Sequence, residues 1–140
     1  MTRRFDVVTF HGHPLIQAKH RTTFEITTDE EITRRGDCII GIKSDKACAD
    51  LDTVLKSLLR SDQTKVKLTL IVNAMKCEIL GKGSKKLSLK STRDLVARTS
   101  GFTSDRTLAV NCNFASKDLP RAIIETLKNP NTVGRLIISV

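Results

Sequence analysis

The pattern of apolar and polar positions changes period several times along the chain, and each change predicts a boundary between elements. Residues 5–11 form a β-rich run that Gly12 interrupts. Residues 22–28 then alternate between apolar and polar positions, as a half-buried strand does. Residues 38–43 are apolar on both faces and predict an interior strand, and residues 66–72 predict a further strand.

Helical spacing of apolar residues predicts two helices. In the first half, Ser44 or Asp45 can cap a helix. In the second half, Pro120 fits only the first turn of a helix, so the pattern over residues 117–128 predicts a start near Asp118. The apolar residues of the first helix are Ala47, Leu51, Val54, Leu55 and Leu58. The strands of the second half are predicted near residues 75–80, 87–90, 94–99, 106–112 and 136–140.

The second half of the chain repeats the pattern of the first. Residues 37–72 align without a gap on residues 105–140, with 8 identities in 36 positions where unrelated sequence would give roughly two. The sequence therefore predicts one domain over residues 1–140 made of two repeats, about 1–72 and 73–140, with pseudo-twofold symmetry. About eight strands and two helices predict a mainly β, α+β fold with a β-sandwich-like core.

Composition narrows the classes of function. The 140 residues include 24 Lys and Arg against 15 Asp and Glu, a net charge of +9. This excess favours a polyanionic partner, and a merely basic surface is the alternative. No apolar run approaches the roughly 20 residues of a membrane helix, and no secretory signal is visible, so we expect a soluble cytoplasmic protein with no membrane partner. The four cysteines lack zinc-finger spacing and are expected to be reduced thiols.

All three histidines lie within ten residues, beside hydroxyl and carboxyl groups. Imidazole and carboxylate can hold Zn, Fe or Ni, or can act as a general base. Three alternatives stay open: a metal site, another polar ligand site, and histidines that only cap turns. No metal is assigned, but the candidate ligands are His11, His13 and His20. The candidate catalytic residues are His13, His20, Thr22, Thr23, Glu25 and Asp37.

The turn Arg34-Arg35-Gly36-Asp37-Cys38 precedes the interior strand. Gly36 permits a tight turn, and loop amides can hold the Asp37 carboxylate. Cys38 could be a nucleophile, but no base is fixed beside it and an apolar run follows. A buried, inert thiol is the favoured interpretation.

The corresponding stretch of the second half, residues 82–106, is strongly basic. It carries seven cations against Asp94 and Asp105, an excess of five (7 − 2). Glycines beside lysines over residues 81–86 expose amides and ammonium groups together, as phosphate-contacting loops do, although the P-loop spacing is missing. A solvated charge run is the alternative. The candidate phosphate-binding residues are Lys82, Lys85, Lys86, Lys90, Arg93, Arg98 and Arg106.

These patterns predict binding of a phosphate-bearing ligand, either a nucleic acid or a nucleotide. The alternative is a small enzyme with a His/Thr/Glu/Asp polar or metal site. A third hypothesis is a structural or subunit-interaction module, for which a homo-oligomer is the possible assembly. If equivalent loops of the two halves meet at the pseudo-twofold axis, the acid-base group of the first half faces the cations of the second across one cleft. The sequence identifies no cofactor.

Several segments closely resemble the archaeal family known as domain of unknown function 371 (DUF371), and the resemblance covers nearly the whole chain. It implies a small cytoplasmic archaeal protein that is mainly β and has no established activity. The segments are Gly12-His13-Pro14, residues 20–27, residues 35–41, Asp45-Lys46-Ala47, residues 95–100 and residues 105–110.

Overall fold

The computed structural model describes residues 4–32 and 36–140. These residues form eight strands and two short α-helices, and a single 3-10 turn precedes each helix. The strands are β1 (Phe5–His11), β2 (Thr23–Thr27), β3 (Ile39–Gly41), β4 (Lys65–Val72), β5 (Met75–Lys82), β6 (Asp94–Arg98), β7 (Thr107–Ala109) and β8 (Val133–Ser139). The helices are α1 (Thr53–Leu59) and α2 (Arg121–Leu127), and the 3-10 turns are Cys48–Asp50 and Ser116–Asp118.

The described strands form two four-stranded sheets. The first sheet is antiparallel, in the order β1-β8-β4-β5, and the second has the order β3-β2-β6-β7. In the second sheet an antiparallel pair, β2 and β6, lies at the centre, and a parallel strand flanks it on each side. The predicted α+β class with eight strands and two helices is confirmed. The duplication stays a prediction, which the matching order of the strands in the two sheets supports.

The core lies between the inner faces of the two sheets and is closed by the helices. Phe10 of β1 is fully buried, and its ring packs against Gly41 and Gly134. A Cβ at either glycine would overlap the ring, so the close approach of these strands requires the missing side chains. Among the described residues, no helix is long and apolar enough to cross a membrane.

The first helix begins later than the sequence predicts. Ser44 donates its hydroxyl hydrogen to a loop carbonyl, and the Asp45 carboxylate accepts an N–H from β1, so neither caps a helix. Asp52 is the cap, because its Oδ2 accepts the N–H of Leu55 at 2.9 Å. Because the 3-10 turn and α1 are separate elements, the predicted apolar positions do not share one helical face. Leu55 and Leu59 of α1 are buried, whereas Val54 and Leu58 are exposed.

Two other local predictions for the second half are wrong. Residues 87–90, all of them described, form no strand, because Leu89 has a φ of 51°, which regular strands do not contain. The second helix begins at Arg121, with Pro120 as its N-cap, and not near Asp118. Asp118 instead accepts the backbone N–H of Ala115 at 2.9 Å and closes the preceding 3-10 turn.

Each half of the chain contacts the helix of the other half in the same way. The backbone N–H of His13 donates to the carbonyl of Leu127, the last residue of α2, at 2.9 Å. The N–H of Ser84 donates to the carbonyl of Leu59, the last residue of α1, also at 2.9 Å. The residue before each donor is a glycine, and a Cβ there would overlap the same carbonyl oxygen. The loops after β1 and β5 therefore complete the C-terminal ends of the two helices.

Candidate functional site

The outer face of the second sheet is polar yet buried. Along β2, Phe24 and Ile26 lie in the core, so Glu25 lies on the opposite face. On β6, Asp94 lies on that same face, diagonally from Glu25, because Asp94 pairs with Thr27. Glu25 and Asp94 are only 6% and 5% exposed. Two carboxylates buried together require a compensating charge.

Arg106, in the turn before β7, supplies that charge to both acids. Its Nη1 lies 3.2 Å from Oε1 of Glu25 and 3.5 Å from Oδ2 of Asp94. The Arg106 side chain remains 49% exposed. The guanidinium group therefore contacts the buried acid pair and also faces solvent.

Arg93 contacts the same acid pair from the edge of the site. Its Nη2 lies 2.9 Å from Oδ2 of Asp29, and its Nε lies 3.9 Å from Oδ1 of Asp94. That Asp94 oxygen is buried and has no hydrogen-bond partner among the described residues. The acid pair thus keeps one acceptor that no donor satisfies at hydrogen-bond distance.

Arg98 is the third arginine on this face, and hydroxyl groups orient it. Its Nε donates to Oγ1 of Thr107 at 2.9 Å, and its Nη2 donates to Oγ of Ser104 at 3.2 Å. The guanidinium carbon also lies 4.9 Å from the centroid of the Phe102 ring, within cation–π range. Burial, together with the charge of Arg106, lowers the pKa of Arg98.

Glu25 is the titratable group of this face whose pKa lies near neutrality. Burial raises the pKa of Glu25 to about 7, and the Asp94 carboxylate adds to the rise. The arginines Arg106, Arg93 and Arg98 oppose that rise. Near neutral pH the Glu25 carboxyl therefore exists in both protonation states and can give or take a proton.

Cys38 borders the acid pair but is not activated. Burial raises its pKa to about 11, and the Glu25 charge acts in the same direction. At neutral pH the group is therefore a thiol, whereas a nucleophilic cysteine requires the thiolate. This raised pKa is typical of an inert cysteine.

An open cleft of about 470 Å³ adjoins the exposed side of Arg106. Two cations and one carboxylate give its lining an excess of one positive charge (2 − 1), and three hydroxyl groups complete it. Arg106 is thus shared between the acid pair and the cleft. The cleft is lined by Lys90, Ser91, Thr92, Ser104, Asp105 and Arg106.

The structure brings together only part of the site that the sequence predicts. Glu25 from the first half meets Arg93 and Arg106 from the second half, with Arg98 beside them. Lys90 lines the adjoining cleft. The other predicted cations lie apart from this group, in a separate cleft of about 410 Å³ that Lys82, Lys85 and Lys86 line.

His13 and His20 use their Nδ1 atoms to accept backbone hydrogen bonds in turns. Nδ1 of His13 accepts the N–H of Leu15 at 3.0 Å. Nδ1 of His20 accepts the N–H groups of Thr22 and Thr23 at 3.3 and 3.2 Å, and it lies 2.9 Å from the Thr23 hydroxyl. In each neutral ring the proton therefore lies on Nε2. These are the contacts of the turn-capping alternative.

The metal candidates do not converge in the described part of the chain. Within residues 4–32 and 36–140, no group of three or more His, Cys, Asp or Glu side chains is arranged to hold a metal ion. The backbone of His11 pairs with that of Ile42, and Nε2 of His13 lies 3.5 Å from Oε2 of Glu31. The imidazoles of His13 and His20 thus contact backbone N–H groups, hydroxyl groups and one exposed carboxylate.

The remaining predicted residues of the first half contribute backbone contacts. The carbonyl of Asp37 accepts the N–H groups of Lys19 and His20 at 2.9 and 3.3 Å. The carbonyl of Thr22 accepts the N–H of Thr99 at 2.9 Å. Arg34 and Arg35 of the turn before β3 lie outside the described residues.

Asp94 is the central residue that sequence reasoning missed, because it was counted only as a counter-charge within a basic stretch. One signal was available: Asp94 and Arg98 are four residues apart on a strand and so share a face. The pairing of β6 with β2, which brings Asp94 to Glu25, has no such signal. The other missed residues are Asp29, Ser91, Thr92, Ser104, Asp105 and Thr107.

Comparison with known proteins gives the chain a family. Residues 8–140 match the family described as "Domain of unknown function (DUF371)". The chain is also 38% identical over 122 residues to Uncharacterized protein MJ0206 of Methanocaldococcus jannaschii, a match that covers 87% of this chain and 90% of that protein. Both findings confirm the family resemblance inferred from the sequence segments. The chain belongs to the DUF371 family.

Proposed function

We propose that this protein binds a small phosphate-bearing ligand of the nucleotide class in the cleft beside Arg106. The main support for the proposal is the position of Arg106. It contacts the Glu25 and Asp94 carboxylates on one side and lines an open cleft on the other. A guanidinium group oriented in this way presents its remaining N–H donors to an incoming phosphate.

The rest of the lining suits the same ligand. Lys90 adds a second cation, and Thr92 adds a hydroxyl group. Asp105 supplies a carboxylate, the group that commonly accepts hydrogen bonds from sugar hydroxyls in nucleotide sites. The cleft volume of about 470 Å³ also falls within the usual range for small-molecule sites.

The two serines of the cleft already accept hydrogen bonds from the protein. Oγ of Ser91 accepts the backbone N–H groups of Arg93 and Asp94 at 3.2 and 3.0 Å. Oγ of Ser104 accepts from Nη2 of Arg98 at 3.2 Å. Because Ser91 Oγ accepts two hydrogen bonds, its hydroxyl hydrogen is best used to donate, which favours an anionic ligand over a cationic one. The Ser104 hydroxyl also lies 3.4 Å from Oγ1 of Thr107.

A second candidate function is a small enzyme in which Glu25 exchanges a proton with the bound ligand. It is favoured by the pKa of about 7 of Glu25 and by the contact of this group with Arg106. Glu25→Gln separates the two candidates. A variant that binds the ligand but no longer turns it over supports the enzyme, whereas unchanged behaviour in both respects leaves binding alone.

Calorimetric titration with AMP, ADP, ATP and inorganic phosphate tests the proposal at two salt concentrations. Lys90→Ala should weaken binding by about tenfold, as expected for a charged hydrogen bond to phosphate. The matched control is Lys19→Ala, since Lys19 is also exposed, also follows a residue with positive φ, and precedes β2 as Lys90 precedes β6. Failure of all four ligands to bind, or equal losses in both variants, would refute the proposal.

A further inference from the structure

The outer face of the first sheet presents a second concentration of positive charge, on a different sheet from the acid pair that Arg106 contacts. Inward positions of β4 such as Leu68 and Leu70 are buried in the core, so Lys65, Lys67 and Ile71 lie on the outer face. Five cations lie on this face against one acid, Glu78, an excess of four (5 − 1). The cations are Lys65, Lys67, Lys76, Lys82 and Arg135.

The strand register arranges these cations along a line. Lys65 of β4 lies directly opposite Lys82 of β5, and Lys76 of β5 lies opposite Ile71 of β4. The line from Lys76 to Lys65 thus spans six residue steps of β4 (71 − 65), about 20 Å at the usual rise of a strand. Lys67 lies between the two ends. One phosphate group cannot contact both ends of such a line.

The line continues beyond the sheet into the loop after β5. Lys82 also lines the cleft of about 410 Å³ that contains Lys85 and Lys86. In that cleft the Asp62 carboxylate accepts the backbone N–H of Lys85 at 2.9 Å. The lysines of residues 82–86, which the cleft beside Arg106 leaves unused, therefore extend the cationic line of the sheet. We call the combined surface, Lys65, Lys67, Lys76, Lys82, Lys85 and Lys86, the lysine track.

Apolar side chains lie beside the lysine track. Phe5 and Leu80 are 59% and 55% exposed, and Lys67 lies opposite Leu80 across the β4–β5 pair. Two adjoining grooves, of about 300 and 230 Å³, meet at Lys67 and Ser139, and Phe5 lines the larger of them. The surface thus offers apolar contacts and cations side by side.

This combination favours one occupant. A second copy of the chain is disfavoured, because two faces with an excess of four positive charges would repel each other. A duplex exposes phosphates but hides its base faces, and would leave Phe5 and Leu80 without a function. A single strand presents phosphates to the lysines and a base face to the Phe5 ring, and Leu80 adds an apolar contact. It would also relieve the unfavourable pairing of Lys65 directly opposite Lys82.

We propose that the outer face of the first sheet binds single-stranded nucleic acid, with the phosphates along the lysine track and bases against Phe5 and Leu80. The surface is distinct from the cleft beside Arg106. The two proposals are therefore independent, and either can fail while the other stands.

Fluorescence anisotropy with a short labelled single-stranded RNA, its DNA counterpart and the matching duplex tests the proposal over a range of salt concentrations. The charge variant is Lys65→Gln/Lys67→Gln. In a plot of log K against log salt, its slope should be less steep by about 0.7 for each lysine removed, and its affinity should fall by roughly tenfold. Lys19→Gln, which removes one positive charge from an exposed lysine outside the lysine track, is the control and should bind as the unmodified protein does.

The apolar variant Phe5→Ser/Leu80→Ser distinguishes base contact from simple attraction to charge. It should lower the affinity by about fivefold or more and leave the salt slope unchanged, because stacking contacts release no counterions. Lys90→Ala, which tests the cleft, should leave nucleic-acid binding unchanged.

Three results would overturn the proposal. The first is unchanged affinity in the Lys65→Gln/Lys67→Gln variant when its circular dichroism shows a native fold. The second is tighter binding of the duplex than of the single strand. The third is full competition by inorganic polyphosphate together with no effect of Phe5→Ser/Leu80→Ser, which would show that only charge is recognised.

Discussion

His20 and Ser91 accept equivalent pairs of hydrogen bonds immediately before β2 and β6, the two central strands of the second sheet. Nδ1 of His20 accepts the N–H groups two and three residues later, before β2. Oγ of Ser91 accepts the N–H groups two and three residues later, before β6. His13 and Ser84 form a second such pair, because each accepts the N–H two residues later. The imidazoles occupy positions where the other half of the chain uses hydroxyl groups.

This equivalence predicts that His20→Ser preserves the fold. The hydroxyl group can accept the same N–H groups, so urea unfolding should change by no more than about 0.5 kcal/mol. His20→Ala removes the acceptor and should cost about 1 kcal/mol, and Ser91→Ala should cost a similar amount. If His20→Ser folds normally but loses ligand binding, the imidazole has a chemical role beyond the turn.

The acid pair predicts that stability falls as the pH rises from about 5 to 8. The pKa of Glu25 is about 7 in the folded protein against an ordinary value of 4.5, so between these values the folded state holds a proton that the unfolded state has released. The stability that protonated Glu25 contributes is therefore fully present below about pH 4.5 and is lost as the pH rises through about 7. Urea unfolding at several pH values measures it, and Glu25→Gln should reduce the slope.

The lowered pKa values of Asp6 and Asp118 do not affect the change in stability between pH 5 and 8. Both lie below the ordinary value of 3.8, so the stability that they contribute is lost only as the pH falls below that value. A Glu25→Gln variant with the same decline between pH 5 and 8 as the unmodified protein would contradict the assignment to Glu25.

Removal of the Arg106 guanidinium should destabilise the protein, because Glu25 and Asp94 then remain buried without that compensating charge. Arg106→Met should lower the free energy of unfolding by about 2 kcal/mol at pH 8 and by less at pH 5, where Glu25 is protonated. In a Glu25→Gln background the loss should be smaller, and the double-mutant cycle measures the coupling. Arg93→Met is the comparison: its guanidinium is 3.9 Å from Asp94, and its closer partner is the exposed Asp29, so the loss should be smaller, no more than about 1 kcal/mol.

The loops that contact the helix ends predict that alanine substitution at two glycines has very different effects on stability. A Cβ at Gly83 would overlap the carbonyl oxygen of Leu59 and lie 2.8 Å from that of Ser61, so Gly83→Ala should lose about 2–3 kcal/mol. At Gly101 the nearest atom, of the Asn111 side chain, is 3.8 Å away, and Gly101→Ala should change stability by no more than about 0.5 kcal/mol. Thermal unfolding of both variants tests the difference, and similar midpoints would contradict it.

Hydrophobic periodicity located all eight described strands but added one over residues 87–90 that does not form. It also placed residues 38–43 inside a sheet, whereas β3 lies at the edge, because apolar residues on both faces show burial and not strand order. It was less successful for the helices. Both follow a 3-10 turn, and in each turn a carboxylate three residues later, Asp50 or Asp118, accepts the N–H that begins the turn. Apolar spacing does not distinguish such a turn from the first turn of an α-helix, so the predicted helices begin too early.

The site was predictable in its components but not in its assembly. Glu25 and Arg106 were both candidates, yet they lie 81 positions apart (106 − 25), and their contact depends on the pairing of β2 with β6. The histidines were overvalued as a cluster because a single sequence does not show backbone partners. Comparison at an offset of 71 (84 − 13 and 91 − 20) would have set both capping imidazoles against serines. We propose that this offset extends the duplication to the first strands of each half.

The pairing of β1 with β8 determines when folding can be completed on the ribosome. Phe5 lies opposite Ser139, and β1 has no other strand partner among the described residues. Since β4 also pairs with β8, nascent chains that stop before residue 133 lack the strand that joins β1 to the rest of its sheet. We therefore expect the final structure to form only after synthesis of β8. Until then the apolar inner faces of the strands stay exposed, and the unfinished chain depends on chaperones to avoid aggregation.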